Sequence, residues 1–162
     1  MIIQPLIQQH YPSVKKIYEQ GLATGNSTFQ TSAPEWEEWD SSHVTNSRIV
    51  GIENEVVIGW AALTPVSGRC VYAGVAEVSV YVAESFRGKG YGTTLLDALI
   101  QESEKNNLWT LQAGIFPENV SSIKMHQTLG FREVGYREKI GQLKDVWRDT
   151  VLLERRSNKV GI

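Results

Sequence analysis

The sequence has little of what marks secreted, membrane or nucleic-acid-binding proteins. Cys70 is the only cysteine among 162 residues, so no internal disulfide can form and the paired Cys and His ligands of a zinc site are missing. No segment approaches the roughly 20 apolar residues that span a bilayer, and the N-terminus has no basic start followed by an apolar run. The net charge of -2 argues against nucleic acid as a partner. We therefore expect a cytoplasmic protein without metal, membrane or nucleic acid.

Repeats, low-complexity tracts and long Pro/Gly-rich linkers are also missing, and we expect one domain over residues 1–162. The charge is uneven, because residues 1–81 carry four Lys/Arg against eight Asp/Glu and residues 82–162 carry twelve against ten. The second half would hold an anionic ligand better, although many proteins without such a ligand show the same scatter. The charge distribution alone therefore decides nothing.

Apolar periodicity predicts two helices before the first long strands. Helical spacing of apolar residues predicts a first helix from about Pro12 to Leu22. Ser32 and Glu35 match a capping box, which would start a second, acidic helix. The β-branched runs Arg48–Glu53 and Val56–Leu63 then predict an antiparallel hairpin.

The remainder of the chain alternates strands and helices. A strand at about Ala76–Val82 leads through the glycine-rich segment Arg87–Gly92 into a helix with a leucine-rich stripe. Further elements are predicted as a strand, a helix and a final strand pair at Thr110–Phe116, Asn119–Leu129, Phe131–Ile140 and Val146–Glu154. This order predicts an α+β fold with a mixed sheet.

The segment between the third strand and its helix has the composition of an anion site. Gly88, Gly90 and Gly92 alternate, which allows successive backbone N–H groups to turn toward one point at a helix N-terminus, and Arg87 and Lys89 add positive charge. The segment lacks the Gly-Lys-Ser/Thr of a Walker A loop and the Gly-x-Gly-x-x-Gly of a dinucleotide fold. A diphosphate would fit there. The alternative is a tight turn that needs glycine for its geometry alone.

The same segment carries a resemblance to a known family. Val80–Val82, four residues and then Arg87–Gly92 resemble the acetyl-CoA signature Arg/Gln-x-x-Gly-x-Gly/Ala of the GNAT acetyltransferases. Other positions resemble, in order and spacing, the phosphinothricin and methionine sulfoximine N-acetyltransferase branch: Thr28–Phe29, Glu77–Val82, Ala113–Ile115, Asn119, Ser122, His126, Leu129–Gly135, Trp147 and Asp149. The resemblance covers roughly residues 1–155.

This resemblance implies a fold, a cosubstrate and a reaction. The fold is the GNAT acyl-CoA N-acyltransferase fold, a mostly antiparallel central sheet flanked by helices. The reaction is acetyl transfer from acetyl-CoA to the primary amine of a small amino-acid-like acceptor, and the protein is a homodimer. The implied cofactor contacts are Val80, Tyr81, Val82, Arg87, Gly88, Lys89, Gly90, Tyr91, Gly92, Thr93, Asn119 and Ser122.

The reaction needs a base, and two residues are candidates. An amine attacks a thioester only when it is neutral, so a suitably placed group must remove a proton from the ammonium form. The sequence has no Gly-x-Ser-x-Gly elbow, so we expect direct transfer and not a serine acyl-enzyme. Glu77 is an isolated strand carboxylate, about 17 Å along a straight strand from Val82, whose N–H the resemblance assigns to the thioester carbonyl. The resemblance implies a strand bulge and a water between them. His126 is the rival base, and each residue could instead be structural.

The acceptor site is less defined by the sequence. The resemblance implies substrate contacts at Val78 and Ser79 beside Glu77. Phe29 and Trp36 are candidates for walls of the acceptor pocket, and Arg69 or Tyr72 for holding an acceptor carboxylate, against ordinary packing or exposure. Phosphinothricin or methionine sulfoximine is the expected type of acceptor. A protein N-terminus, a polyamine, or a CoA sensor without turnover are the alternatives.

Overall fold

The computed structural model describes all 162 residues. It consists of one seven-stranded sheet with helices packed on both faces. The strands are β1 (Ile2–Pro5), β2 (Arg48–Glu53), β3 (Val56–Pro65), β4 (Val75–Val82), β5 (Thr110–Ile115), β6 (Arg132–Leu143) and β7 (Val146–Arg156). The helices are α1 (Tyr11–Ala23), α2 (Trp36–Ser42), α3 (Tyr91–Lys105) and α4 (Val120–Thr128).

The sheet is mixed, with strand order β1-β2-β3-β4-β5-β7-β6. Only β4 and β5 run parallel, and every other neighbouring pair is antiparallel. A parallel pair needs a long crossover, and α3 supplies it between these two strands. The α+β class with a mostly antiparallel sheet, predicted from the sequence, is confirmed.

Residue alternation along the strands divides the core between the two faces. Ala76 and Val78 of β4 point to the face covered by α3, where Leu95, Leu96 and Leu99 are fully buried. The opposite face packs against α1 and α2 through an aromatic cluster of Tyr11, Tyr18, Trp39, Trp60 and Tyr81. Glu77, Ser79 and Tyr81 therefore share the α1 face, which decides where the candidate base points.

Two features of the N-terminal region differ from the sequence-based expectation. β1 pairs with β2 at the sheet edge, and this short strand ahead of the two helices was not predicted. The capping box on Ser32 and Glu35 is wrong, because α2 begins at Trp36, Glu35 is its N-cap and no side chain caps it. Pro34 disfavours a helical conformation at Ala33, and the Glu35 carboxylate instead pairs with Lys15 of α1. No helix of the structure has the length and apolarity needed to cross a membrane.

Candidate functional site

The site begins where β4 and β5 separate. β4 pairs with β5 only over Val75–Glu77, opposite Thr110–Gln112, while its pairing with β3 continues without a register shift up to Val82. A gap therefore opens on one side of β4. The bulge in β4 that the resemblance implied is absent, because the register between β3 and β4 does not shift. The separation of β4 from β5 provides the space instead.

Backbone groups of β4 point into this gap. Ala83 N–H donates to Ile58 O over 2.8 Å and Val66 N–H donates to Val75 O over 3.3 Å, which fixes the hydrogen-bonding phase of the β3–β4 ladder. Because antiparallel strands alternate the direction of their N–H groups, the even-numbered residues of β4 direct theirs away from β3. The N–H groups of Val78, Val80 and Val82 thus face the gap.

The same alternation corrects one expectation about Ser79. Ser79 lies opposite Ala62 in the ladder and is an odd-numbered residue of β4, so its backbone groups bond to β3. Ser79 is nevertheless among the residues that line the cavity. Val78 keeps the backbone N–H that was expected to face a substrate.

The gap opens into a cavity of about 690 Å³. Two groups of residues with predicted site roles line it. The predicted cofactor contacts among them are Val80, Tyr81, Val82, Arg87, Asn119 and Ser122. The predicted catalytic and substrate-binding residues among them are Phe29, Glu77, Val78, Ser79 and His126. One cavity therefore joins the predicted cofactor contacts to both candidate bases.

The glycine turn lies beside this cavity. Gly88 and Gly90 have φ of 75° and 83°, and a Cβ on either residue would meet no atom within 4 Å. Both glycines are thus needed for the left-handed backbone, and the space beside them is open. Gly90 is the N-cap of α3 and no side chain caps this helix, so the first-turn N–H groups, including those of Tyr91, Gly92 and Thr93, are free to bind an anion.

Gly92, the third glycine of the turn, is needed for a different reason. A Cβ on Gly92 would lie 3.1 Å from Met125 Sδ of α4, so glycine here allows α3 and α4 to approach each other. The side chain of Tyr91 turns away and donates to Glu53 Oε2 over 2.6 Å, which raises the pKa of the phenol. Lys89 Nζ lies 5.2 Å from the centroid of the Phe86 ring, next to the open side of the turn.

Glu77 is an exposed carboxylate on the α1 face of the sheet. Its Oε2 accepts a hydrogen bond of 3.0 Å from Gln112 Nε2, and no cation lies within ion-pairing distance. Gln112 is its direct neighbour across the last β4–β5 pair. The carboxylate is therefore oriented at the point where the two strands separate.

His126 offers a buried lone pair in the same cavity. The residue is 4% exposed, and its Nδ1 lies 2.7 Å from Ser122 O. A carbonyl only accepts, so Nδ1 carries the proton and Nε2 of the neutral ring is the acceptor. Nε2 is buried without any hydrogen-bond partner, and burial lowers the pKa of the imidazole below its ordinary value of 6.5. The ring is therefore neutral at pH 7, and burial disfavours its protonated form.

Asn119 and Tyr81 have evident structural roles in addition to their predicted contacts. Asn119 caps α4, as predicted, by accepting from Ser122 N–H over 3.4 Å, and its Nδ2 donates to Asn26 O over 3.3 Å. The ring of Tyr81 stacks on Trp60 with centroids 5.0 Å apart, and burial raises the pKa of its phenol. Tyr81 therefore contributes packing to the cavity wall.

The acceptor side is built differently from the expectation. Phe29 lines the cavity and packs edge-on against Phe116 at 5.0 Å, whereas Trp36 lies outside the lining and stacks on Trp39. The structure does not bring Arg69 or Tyr72 to the cavity: both are exposed, with the Arg69 guanidinium 5.7 Å from the centroid of the Tyr72 ring. Arg69 is therefore not among the residues that line the cavity.

Arg137 is a lining residue that the sequence reasoning missed. It is exposed and has no ion pair, and it lies where the β6–β7 register shifts between Arg137 and Gly141. Asp149 holds this irregular segment, since its Oδ1 accepts from Lys139 N–H over 2.6 Å and its Oδ2 accepts from the Tyr136 hydroxyl. Asp149 was matched in the sequence, but nothing in the sequence linked it to a basic side chain in the cavity.

Comparisons with known proteins show the family to which the chain is similar. The model of the acetyltransferase (GNAT) family matches residues 12–131. The phosphinothricin N-acetyltransferase of Streptomyces coelicolor is 27% identical over 161 residues, covering 94% of both chains. The L-methionine sulfoximine/L-methionine sulfone acetyltransferase of Pseudomonas paraeruginosa is 36% identical over 101 residues, covering 60% of this chain and 57% of the relative.

A solved structure extends the likeness over the whole fold. The phosphinothricin acetyltransferase of Sinorhizobium meliloti, in complex with AcCoA, superposes with a TM-score of 0.89 at 25% identity, covering 99% of this chain and 90% of that one. Family match, fold and full-length relatives point the same way. The chain therefore belongs to the GNAT family and is an N-acetyltransferase related to the phosphinothricin and methionine sulfoximine acetyltransferases.

Proposed function

We propose that the protein transfers the acetyl group of acetyl-CoA directly to the primary amine of a small amino-acid-like acceptor, such as phosphinothricin or methionine sulfoximine. One observation carries the proposal: a single cavity joins the N–H groups of the β4–β5 gap to the free carboxylate of Glu77 and the neutral imidazole of His126. Donors on one side and proton acceptors on the other are what an acyl transfer to an amine requires.

The residues around the glycine turn fit acetyl-CoA, which supplies an acetyl group activated as a thioester. The uncapped N-terminus of α3 and the exposed side chains of Arg87 and Lys89 would hold its diphosphate. The Arg87 Nε donates to Val82 O over 3.2 Å, which links the turn to the end of β4. The Val82 N–H, on the gap side of the strand, would donate to the thioester carbonyl.

The proton of the acceptor amine has two possible destinations in this chain. Glu77, oriented by Gln112 and open to solvent, would take it through water. His126 is neutral at pH 7 and its Nε2 has no partner, so it would be the second acceptor, but burial disfavours its charged form. We assign the main role to Glu77 because its carboxylate is exposed and oriented by Gln112.

The charges of the cavity support an acceptor that carries an acidic group. Among the lining residues, Glu118 is paired with Arg148 and Arg87 is bonded to Val82 O, whereas Arg137 has no partner. A guanidinium pairs well with a carboxylate or phosphinate. An amino acid with its acidic group at Arg137 would satisfy this cation. The predicted contact at Arg69 stays a prediction.

The decisive experiment combines binding with turnover. Calorimetry of the purified protein should show uptake of acetyl-CoA, and release of free CoA thiol should follow on adding phosphinothricin or methionine sulfoximine. Free amino acids, a polyamine and a peptide with a free N-terminus complete the panel. Turnover of only the polyamine or the peptide would contradict the acceptor class, uptake without any thiol release would indicate a sensor, and no uptake would overturn the whole proposal.

We further propose that two copies of the chain associate, as in the branch that it resembles. The β6–β7 pair supports this, because Tyr136, Ile140, Val146 and Trp147 are each more than half exposed. Exposed apolar patches of this kind mark protein contacts. Sedimentation of the purified protein at micromolar concentration should give the mass of a dimer, and a monomer throughout would contradict it. Cytoplasmic location and a single domain stay predictions.

A further inference from the structure

Arg148 of β7 connects two segments of the cavity wall that are far apart in the sequence. Its Nη1 donates to Gly25 O over 2.9 Å and its Nη2 donates to Asn26 Oδ1 over 2.8 Å. Nη2 also lies 3.4 Å from Glu118 Oε2, in the turn before α4. One guanidinium therefore joins residues 24–29, the segment between α1 and α2 that borders the cavity, to the turn before α4.

Further contacts hold the same segment against the same turn. Asn119 Nδ2 donates to Asn26 O over 3.3 Å, and the Phe29 ring packs edge-on against Phe116 at 5.0 Å. The Arg148 Cζ lies 4.1 Å from the centroid of that Phe116 ring, so the cation covers the aromatic pair. Segment 24–29 is thus fixed along its length by contacts with residues 116–119 and with β7.

The strand position of Arg148 explains why it reaches this segment. Arg148 lies directly opposite Gly141 in the β6–β7 ladder. A Cβ on Gly141 would lie 3.1 Å from two atoms of the Phe29 ring, so the missing side chain makes room for Phe29. The arginine and the glycine together form one seat, which receives Phe29 and the backbone of residues 25 and 26.

Arg148 is itself not placed to bind a ligand. Its side chain is 16% exposed, and both terminal nitrogens are bonded to atoms of this chain. It is also absent from the residues that line the cavity, whereas Thr24, Asn26, Ser27, Thr28 and Phe29 line it. Its influence on the reaction must therefore pass through segment 24–29.

We infer that Arg148 is a positioning residue for the acceptor side of the cavity: it holds segment 24–29, and with it Phe29, in the place that the acceptor contacts. This inference rests on the proposed function, because it assigns the acceptor to that side. In the proposed function the glycine turn and the β4–β5 gap hold the diphosphate and the thioester of acetyl-CoA, and Arg148 contacts neither of them. Loss of Arg148 therefore weakens acceptor binding and leaves acetyl-CoA binding intact.

The test compares two arginine substitutions on the same strand pair. Arg148→Met keeps the apolar stem and removes the fork, and we expect the KM of the acceptor to rise about tenfold or more, since charged hydrogen bonds are lost, with kcat within about threefold. The affinity for acetyl-CoA, measured by calorimetry, should not change. Arg132→Met is the control, because Arg132 pairs with Glu154 on β6 and β7 but lies outside the cavity. Equal KM changes in both variants would overturn the inference.

A second readout does not depend on turnover. Amide hydrogen exchange of residues 24–29 should accelerate about tenfold in Arg148→Met and remain at the wild-type rate in Arg132→Met. Arg148→Lys keeps the charge over Phe116 but cannot span Gly25 and Asn26, so intermediate exchange and an intermediate KM are expected. Unchanged exchange in Arg148→Met overturns the inference even if activity falls. If the wild type acetylates no acceptor, the proposed function fails while exchange still decides the role of Arg148.

Discussion

The two sides of the cavity are built on different principles. The proposed cofactor side is almost continuous in the sequence, from β4 through the glycine turn into α3, and most of its available donors are backbone N–H groups. The acceptor side combines segment 24–29, the irregular part of β6 around Arg137 and the Arg148 seat on β7; Arg148 and Asn26 are 122 positions apart. A diphosphate needs only oriented amides, whereas an acceptor is distinguished by side chains that distant segments must bring together.

The largest effect on catalysis is expected from substitution of Glu77, which lies between the two sides. Glu77→Gln keeps the size and the neighbour Gln112 but removes the base, so kcat should fall about 100-fold or more. Acetyl-CoA affinity, measured by calorimetry, should stay within about twofold, since the donors that hold the cofactor are elsewhere. An unchanged kcat would transfer the role to His126, and His126→Gln would then show the loss.

A matched pair of glycine substitutions separates the two sides directly. Gly90 and Gly25 both have positive φ, 83° and 68°, and a Cβ on either residue meets no atom within 4 Å. Valine is strained at both positions to a similar degree. Gly90→Val should weaken acetyl-CoA binding about 30-fold or more, because it displaces the amides at the start of α3, and Gly25→Val should leave it unchanged. Equal losses of acetyl-CoA affinity in the two variants, measured by calorimetry, would contradict the proposed difference between the two sides.

Substitution of Arg137 tests whether the acceptor side binds the acidic group of the acceptor. Arg137→Met should raise the KM of an amino-acid acceptor by about tenfold, because one charge-assisted pair is lost, and leave kcat nearly unchanged. The corresponding amine without its acidic group should be a poor acceptor for the wild type and unaffected by the substitution. Arg69→Met is the control, since Arg69 lies away from the cavity. A KM change confined to Arg69→Met would restore the sequence-based assignment.

The smallest effect concerns pH and two histidines, the half-buried His43 and the buried His126. Burial lowers the pKa of both rings below the ordinary value of 6.5. As the pH falls below 6.5, the unfolded chain binds protons that the folded chain does not, so stability decreases until the folded rings also titrate. Each unit of pKa difference contributes about 1.4 kcal/mol, or roughly 3–6 °C in Tm.

Thermal unfolding between pH 8 and pH 5 measures this effect. The Tm should fall as the medium becomes acidic, and His126→Gln should reduce the slope because one of the two rings with a lowered pKa is gone. Substitution of His10, which is not buried, serves as the control. A Tm independent of pH between 8 and 5 would contradict the neutral, buried state on which the role of His126 as a base depends.

Sequence reasoning succeeded where structure follows from neighbouring residues. The helices α1, α3 and α4, the β2–β3 hairpin and β4 fell near their predicted positions, and Asn119 caps α4 as expected. It failed at β1, whose four residues become a strand only by pairing with β2. It failed also at the bulge expected in β4, which keeps its register with β3, and at Arg137, which lies where the β6–β7 register shifts.

The backbone of the proposed cofactor side follows from consecutive residues. Glycines at positions 88 and 90 adopt a left-handed backbone and a helix N-terminus follows at once, so the direction of the N–H groups is settled within a few residues. The proposed acceptor side depends instead on contacts between segments that are distant in the sequence. The tautomer and burial of His126, the seat around Arg148 and the free guanidinium of Arg137 arise from side chains that meet after the sheet has formed. Local backbone geometry depends on consecutive residues, whereas burial and side-chain contacts depend on the whole fold.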